Sequence, residues 1–342
     1  MLILPLVSKG QTLPKWYPEL KSIVDARTSQ NKFVDGAVGV ITKQFETPET
    51  ATFGLANLNT LFEIGSITKS FTGIIFAQLV LEKTVSSEDT VEKYIPELRG
   101  TFAGQIQLAA LATHSSGLAR VPEDIPNTLN PYSHYTWSQL LIYLKDVKPI
   151  AESKPYPLQY SNTGFALLGK VLEIASGESY SSLLQKRIFD PINMTDTSLQ
   201  ISFKNRNRLI DGHGADLKVM PHWDWLVFAP TGGIRSTASD MIKFLSANLY
   251  IDHSDLGKAI KLSQKNKWGW DSQTLNLPFP YKNGGTYSFS SAMFIDHTRQ
   301  VAGIILTNTS YEVDSLVVPI LKANNHPNMA QEKRITPPPS SF

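Results

Sequence analysis

The chain has 342 residues, 42% of them hydrophobic, which is enough apolar material for a large core and too much for wholesale disorder. Its 32 basic and 30 acidic residues leave a formal net charge of +2, with no basic run longer than pieces such as Lys204 to Arg208, so nucleic acid is not an expected partner. Cysteine is absent, which removes disulfides, thiolate metal sites and a cysteine nucleophile and leaves oxygen or nitrogen nucleophiles for any chemistry.

The apolar start, Met1 to Val7, lacks a basic lead, is too short for the apolar part of a signal peptide and has no A-x-A cleavage site, so it is not expected to act as one. No stretch approaches the ~20 apolar residues that a membrane span needs, and a soluble body is expected. Pro14 to Phe33 reads as an amphipathic helix, with Trp16, Leu20, Ile23 and Val24 at helical spacing. Gly36 to Thr42 and Ala51 to Leu55 read as two short strands joined by a polar turn. Ser66 to Glu82 carries Phe71, Ile74, Ile75, Ala77 and Leu79 around too much of its circumference for a surface helix, so a buried helix is expected.

From about Val85 to Asn205 the pattern is helices and long loops with little strand, punctuated by Pro96, Pro122, Pro126, Pro131, Pro149, Pro155 and Pro157. Thr286 to Phe294 and Val301 to Thr307 are β-favouring runs either side of the polar Asp296 to Gln300, which reads as a hairpin. Tyr311 to Ala323 reads as a closing helix and Thr336 to Phe342 as a disordered tail. Strands at both ends and helices between them suggest one sheet built from both termini with a helical insertion.

Three short constellations carry chemistry. Ser66 and Lys69 stand three apart where a turn enters the buried helix, and on a helix such positions share a face about 5–6 Å apart at Cβ. A serine hydroxyl needs a neighbour of this kind to take its proton, and a helix N-terminus offers an N–H to a developing oxyanion. A serine before a helix is, by itself, more often a plain N-cap. Tyr160 and Asn162 follow a proline-rich loop and precede the helix-like run Phe165 to Ala175. Nearby cations would let the tyrosine serve as a general base, and the asparagine amide can bind a substrate carbonyl and orient Lys69. The plain alternative is that Tyr160 packs and Asn162 caps the helix. Lys282, Asn283, Gly284 and Gly285 lead into the late strand. The lysine can supply a fixed positive charge and the glycines permit close approach of a substrate backbone, with the Gly285 N–H as a second oxyanion donor. A hairpin turn with a solvated lysine is the plain alternative there.

In order and spacing, Ser66-x-x-Lys69, Tyr160-x-Asn162 and Lys282-x-Gly284 resemble the serine penicillin-recognising hydrolases. With Y-x-N in the middle, the set is similar to the branch of class C β-lactamases and D-alanyl-D-alanine carboxypeptidases. Leu111-Ala-Thr-His114-Ser-Ser-Gly117-Leu and Thr231-Gly-Gly233-Ile-Arg-Ser-Thr237-Ala-Ser-Asp240-Met are similar to two framework stretches of that branch, so the likeness runs from about Leu61 to Asn308. Asn283 departs from it, because the family usually has a threonine there that helps bind a substrate carboxylate; retention of Lys282 argues for a substrate that carries one.

The resemblance implies a β-lactamase/transpeptidase-like α/β (α+β) fold, an antiparallel sheet flanked by helices with an inserted all-helical region and the site between them. Residues 1–342 would form one catalytic unit, with an α/β part near 8–85 and 210–325, a helical part near 86–209 and a tail at 326–342. It further implies catalytic roles for Ser66, Lys69, Tyr160 and Lys282 and substrate binding by Asn162, Asn283, Gly284 and Gly285, with no metal and no organic cofactor. The leading substrate is the D-alanyl-D-alanine end of a peptidoglycan stem peptide; a β-lactam and then a small ester follow, and the location would be periplasmic or extracellular. The competing class is a non-catalytic penicillin-binding or sensor module. His114 and His213 lack a metal-ligand spacing and read as structural hydrogen-bonders. Oligomeric state is not legible in the sequence.

Overall fold

A computed structural model describes residues 13–43, 47–271 and 277–325, without the side chain of Lys204; the expected tail at Thr336 to Phe342 and the start at Met1 to Val7 lie outside them. Its central element is a five-stranded sheet in the order β2-β1-β9-β8-β7, formed by Glu49–Phe53 (β2), Gly36–Thr42 (β1), Val301–Thr307 (β9), Ser290–Asp296 (β8) and Tyr281–Gly285 (β7). Every neighbouring pair is antiparallel, and β1 meets β9 from Gly36↔Thr307 to Thr42↔Val301, so the two ends of the chain do build one sheet. Two small ladders lie apart from it, Phe62–Glu63 (β3) with Arg235–Ser236 (β6) and Gly212–His213 (β4) with Val219–Met220 (β5).

Successive side chains of a strand point to opposite faces, and both faces here are covered. Val38, Val40, Ala292, Phe294 and Ile305 pack with Leu20 and Val24 of α1 (Tyr17–Ser29) and Leu316, Val317 and Ile320 of α10 (Asp314–Ala323). Ala37, Ile41, Met293, Ile295, Ile304 and Leu306 face the larger core. That core holds α2 (Thr68–Leu81), α8 (Ala238–Leu249) and α9 (Asp255–Asn266), together with α3 (Leu108–Ala112), α4 (Trp137–Asp146), α5 (Asn162–Ser176), α6 (Tyr180–Leu184) and α7 (Ala229–Gly232). Every residue of α2 from Thr68 to Leu79 is buried, as its all-round apolar pattern requires. Among the described residues no strand falls between 85 and 205, and no helix is long and apolar enough to cross a membrane.

Several boundaries differ from the sequence expectation. Helix α1 opens at Tyr17 with Pro18 in its first turn, where a missing N–H costs nothing, and closes before Asn31, whose φ of 54° ends the helical path. Strand β2 stops at Phe53 because Gly54 turns at φ 67°. The expected strand from Thr286 to Phe294 is corrected: 286–289 is a tight turn, and the strand begins at Ser290. Thr286 N–H donates to Phe289 O at 2.9 Å, and Thr286 Oγ1 accepts from the N–H groups of Ser288 and Phe289 at 3.3 and 3.2 Å. This hydroxyl-built turn overrides the β propensity of its own residues. The closing helix starts at Asp314 rather than Tyr311.

Candidate active site

Ser66 lies in a single 3₁₀ turn, Gly65–Ile67, that runs directly into α2. Lys69 follows one turn later with no exposed surface. Its Nζ is 3.0 Å from Ser66 Oγ and donates to Asn162 Oδ1 at 2.9 Å and to Thr231 O at 2.7 Å. Burial pushes the Lys69 ammonium well below the usual lysine range, and the charges of Lys282 and Arg120 push it further. A neutral amine has two N–H donors and one lone pair. Asn162 Oδ1 and Thr231 O can use both donors, which leaves the lone pair for Ser66.

The second element arrives at the start of α5. Ser161, not Asn162, is its N-cap: Ser161 Oγ accepts from Gly164 N–H at 2.9 Å and donates to Ala119 O at 2.7 Å. Asn162 is thereby free to turn its amide inward, where Nδ2 donates to Tyr132 Oη at 3.1 Å. Immediately before the cap, Tyr160 Oη donates to Ser66 Oγ at 2.5 Å. His114 Nδ1 accepts from Ser161 N–H at 3.0 Å, and its ring lies 4.4 Å from that of Tyr160. Burial, with the charges of Lys282, Lys69 and Arg120, holds the His114 pKa well below its usual value, so the ring is neutral and can accept.

Lys282 projects from β7 and is fully buried. Its Nζ donates to Asp271 Oδ1 at 2.5 Å, and Asp271 N–H donates to Tyr281 O at 3.0 Å, which fixes this acid along the outer edge of the strand. Burial, the largest single influence, lowers the Lys282 pKa, but the Asp271 carboxylate and Tyr160 together outweigh it and the net direction is upward, so Lys282 remains an ammonium. Lys69 Nζ, Lys282 Nζ and Arg120 Cζ lie 4.7, 5.0 and 5.0 Å from the Tyr160 ring centroid, two cations and the Lys69 amine around one phenol.

Strand β7 is the edge of the sheet. Peptide groups of an antiparallel strand alternate sides, and since Tyr281 O points outward to Asp271, the Gly285 peptide points outward too. It meets the Ser66 turn at close range. A Cβ on Gly65, whose φ is 50°, would lie 2.6 Å from Gly285 N, and one on Gly284 would lie 2.2 Å from Ile64 O and 2.7 Å from Ser66 N. Ser291 Oγ donates to Ile64 O at 2.8 Å and clamps the turn to β8. The backbone N–H groups of Ser66 and Gly285 are thus held alongside each other, which glycine alone permits at 65 and 284.

The structure therefore gathers Ser66, Lys69, Tyr160, Asn162 and Lys282 in one cleft, with the Gly284–Gly285 backbone against it. Asn283 is different: its Nδ2 lies 3.2 Å from both carboxylate oxygens of Asp314, the acid that also takes the Tyr281 hydroxyl, on the face of β7 opposite Lys282. Its amide does not enter the cleft. Thr231 O, Tyr132, His114, Arg120 and Asp271 join the site without having been singled out as site residues. Thr231 and His114 sit inside recognisable framework stretches, whereas Asp271, 11 positions ahead of Lys282, had no motif to mark it.

The family model described as Beta-lactamase matches residues 22–323, and the chain belongs to the beta-lactamase family. Similar curated proteins include a beta-lactamase of Psychrobacter immobilis, 28% identical over 226 residues that make up 64% of this chain and 53% of that protein. Another, from Escherichia coli strain K12, is 27% identical over 254 residues, 70% of this chain and 63% of that protein. These matches span between about half and two thirds of the relatives' own length. Among solved structures, a class C beta-lactamase superposes with a TM-score of 0.78 at 21% identity, over 94% of this chain and 98% of its own. A beta-lactamase/D-alanine carboxypeptidase from Pseudomonas syringae gives 0.74 at 20% identity over 90% and 99%. A class C beta-lactamase in complex with cefoxitin gives 0.77 at 22% identity over 90% and 98%. The antiparallel sheet flanked by helices is the class C beta-lactamase fold.

Proposed function

We propose that the chain is a serine hydrolase that works through an acyl-enzyme on Ser66. The observation that carries this is the placement of Ser66 Oγ between Lys69 Nζ at 3.0 Å and Tyr160 Oη at 2.5 Å. Ser66 gives its proton to the Lys69 lone pair as Oγ bonds to the substrate carbonyl carbon. The resulting oxyanion takes hydrogen bonds from the N–H groups of Ser66 and Gly285. Tyr160 passes its proton to the leaving group and recovers one from Lys69. In the second half, Tyr160 passes its proton to the Lys69 lone pair as it takes one from the attacking water, and Lys69 returns a proton to Ser66 Oγ as it leaves the acyl carbon. Asn162 positions Lys69 and the substrate carbonyl; Lys282 holds the phenol between charges.

For the substrate, the D-alanyl-D-alanine end of a peptidoglycan stem peptide and the β-lactam ring are the leading classes. They are supported by likeness to a structure described as a beta-lactamase/D-alanine carboxypeptidase and to one described with cefoxitin. Such substrates place the protein outside the cytoplasmic membrane. A second reading, hydrolysis of small esters, is favoured by one observation: Lys282 is already paired with Asp271, and the Asn283 amide is held by Asp314. Turnover of purified muropeptides, penicillins and p-nitrophenyl esters by wild type and Ser66→Ala tests the proposal. Loss of all turnover in the variant is expected; equal rates would leave a binding module.

A further inference from the structure

We infer that Arg120 is a specificity-determining residue: its exposed guanidinium, set over the ring of Tyr160, holds an anionic group on the leaving half of the substrate. The inference rests on the Ser66 reading above and deepens it by naming the substrate class, acyl compounds whose leaving group carries a carboxylate.

The backbone of Arg120 is fastened to the same helix start that presents Tyr160 and Asn162. Arg120 O accepts from the N–H groups of Asn162 and Thr163 at 2.8 and 3.2 Å, and Ala119 O accepts from Ser161 Oγ at 2.7 Å. So anchored, the chain brings the guanidinium Cζ to 5.0 Å from the Tyr160 ring centroid. The other two side-chain nitrogens at that ring, those of Lys69 and Lys282, belong to residues with no exposed surface. Arg120 is exposed and, unlike Arg27, Arg187, Arg208, Arg235 and Arg299, has no ion pair among the described residues. Its fork of N–H donors is therefore open to a bidentate bond with a carboxylate.

Charge and mechanism say which anion this is. Lys282 and Asp271 cancel as a pair, and Lys69 and His114 are neutral, so Arg120 supplies the net positive charge of the groups around Tyr160. Tyr160 gives its proton to the leaving atom, which must lie at the phenol hydroxyl, and the rest of the leaving group extends from there past the same ring. An anion several bonds beyond the leaving atom comes within reach of the guanidinium.

The test uses two esters of phenylacetylglycine with one acyl group and leaving groups of one shape, the 3-carboxyphenyl ester and its neutral counterpart, the 3-carbamoylphenyl ester. The readout is the ratio of their kcat/KM values, carboxy over carbamoyl, in wild type, Arg120→Gln, Arg120→Ala and Arg120→Lys. Arg120→Gln and Arg120→Ala should lower this ratio about tenfold, the size of one charge-assisted hydrogen bond, while Arg120→Lys keeps part of it. Added salt should lower the wild-type ratio and leave that of Arg120→Ala unmoved. A merely structural role would slow both esters alike, and an unchanged or raised ratio in both Arg120→Gln and Arg120→Ala overturns the inference. Turnover of neither ester by wild type, or wild-type rates by Ser66→Ala, would instead overturn the Ser66 reading.

Discussion

Replacing Lys69 by Met keeps the length of the side chain and removes its nitrogen, which makes the substitution a direct probe of the proton acceptor. A positioned general base contributes about 10²–10⁴-fold, or about 2.7–5.5 kcal/mol of barrier, and acylation should slow by that amount. The fold should suffer less. Asn162 Oδ1 and Thr231 O, bonded to Lys69 at 2.9 and 2.7 Å, would lose their donor at a cost of about 1–3 kcal/mol each, offset by about 1–2 kcal/mol from burying an apolar chain. A net loss of about 0–5 kcal/mol in urea denaturation is expected from those two terms. Acylation by wild type should fall as pH drops through the lowered Lys69 pKa, and Lys69→Met should lack that limb. Between that lowered value and 10.5, the unfolded chain carries a proton on Lys69 that the native chain does not. The stability of wild type relative to Lys69→Met should therefore grow as pH rises across this window. Stopped-flow acylation and denaturation at several pH values read both effects. Wild-type acylation rates with an unchanged pH profile would refute the reasoning.

Three further outcomes follow from particular contacts. Gly284→Ala would drive a methyl group to 2.2 Å from Ile64 O and 2.7 Å from Ser66 N; acylation should fall about 10²–10³-fold, the effect of losing one oxyanion donor, with circular dichroism preserved. Phe71→Ala empties a site where the ring stacks 3.9 Å from Phe244 and meets Phe189 edge-on at 6.0 Å, and should cost about 3–5 kcal/mol in denaturation. Tyr160→Phe removes the hydroxyl bonded to Ser66 Oγ and should lower turnover about 10²–10⁴-fold, while the denaturation midpoint moves little.

Much of this architecture could be read from residue pattern. The all-round apolar sequence of α2 demanded burial, and Val301–Thr307 became β9 with the boundaries its composition suggested. The order of S-x-x-K, Y-x-N and K-x-G pointed to residues that the fold does gather in one cleft. Other features depended on contacts that no local pattern contains. Thr286 to Phe289 has strand-forming residues, but the Thr286 hydroxyl makes a turn of them. Asn283 follows Lys282 directly, yet pleating sends its amide to Asp314. Asp271 reaches Lys282 only because its backbone bridges to Tyr281, a pairing invisible until the edge of the sheet is known. The cap of α5 fell to Ser161 rather than Asn162, and that one-residue choice releases the amide that orients Lys69.

The most direct measurement of the central claim is peptide mapping of a stalled acyl-enzyme: react the protein with a slowly hydrolysed β-lactam or activated ester, digest it and sequence the modified peptide by mass spectrometry. The predicted result is a single adduct on Ser66, lost in Ser66→Ala together with turnover. An adduct on a different residue, or turnover that survives Ser66→Ala, would contradict the account.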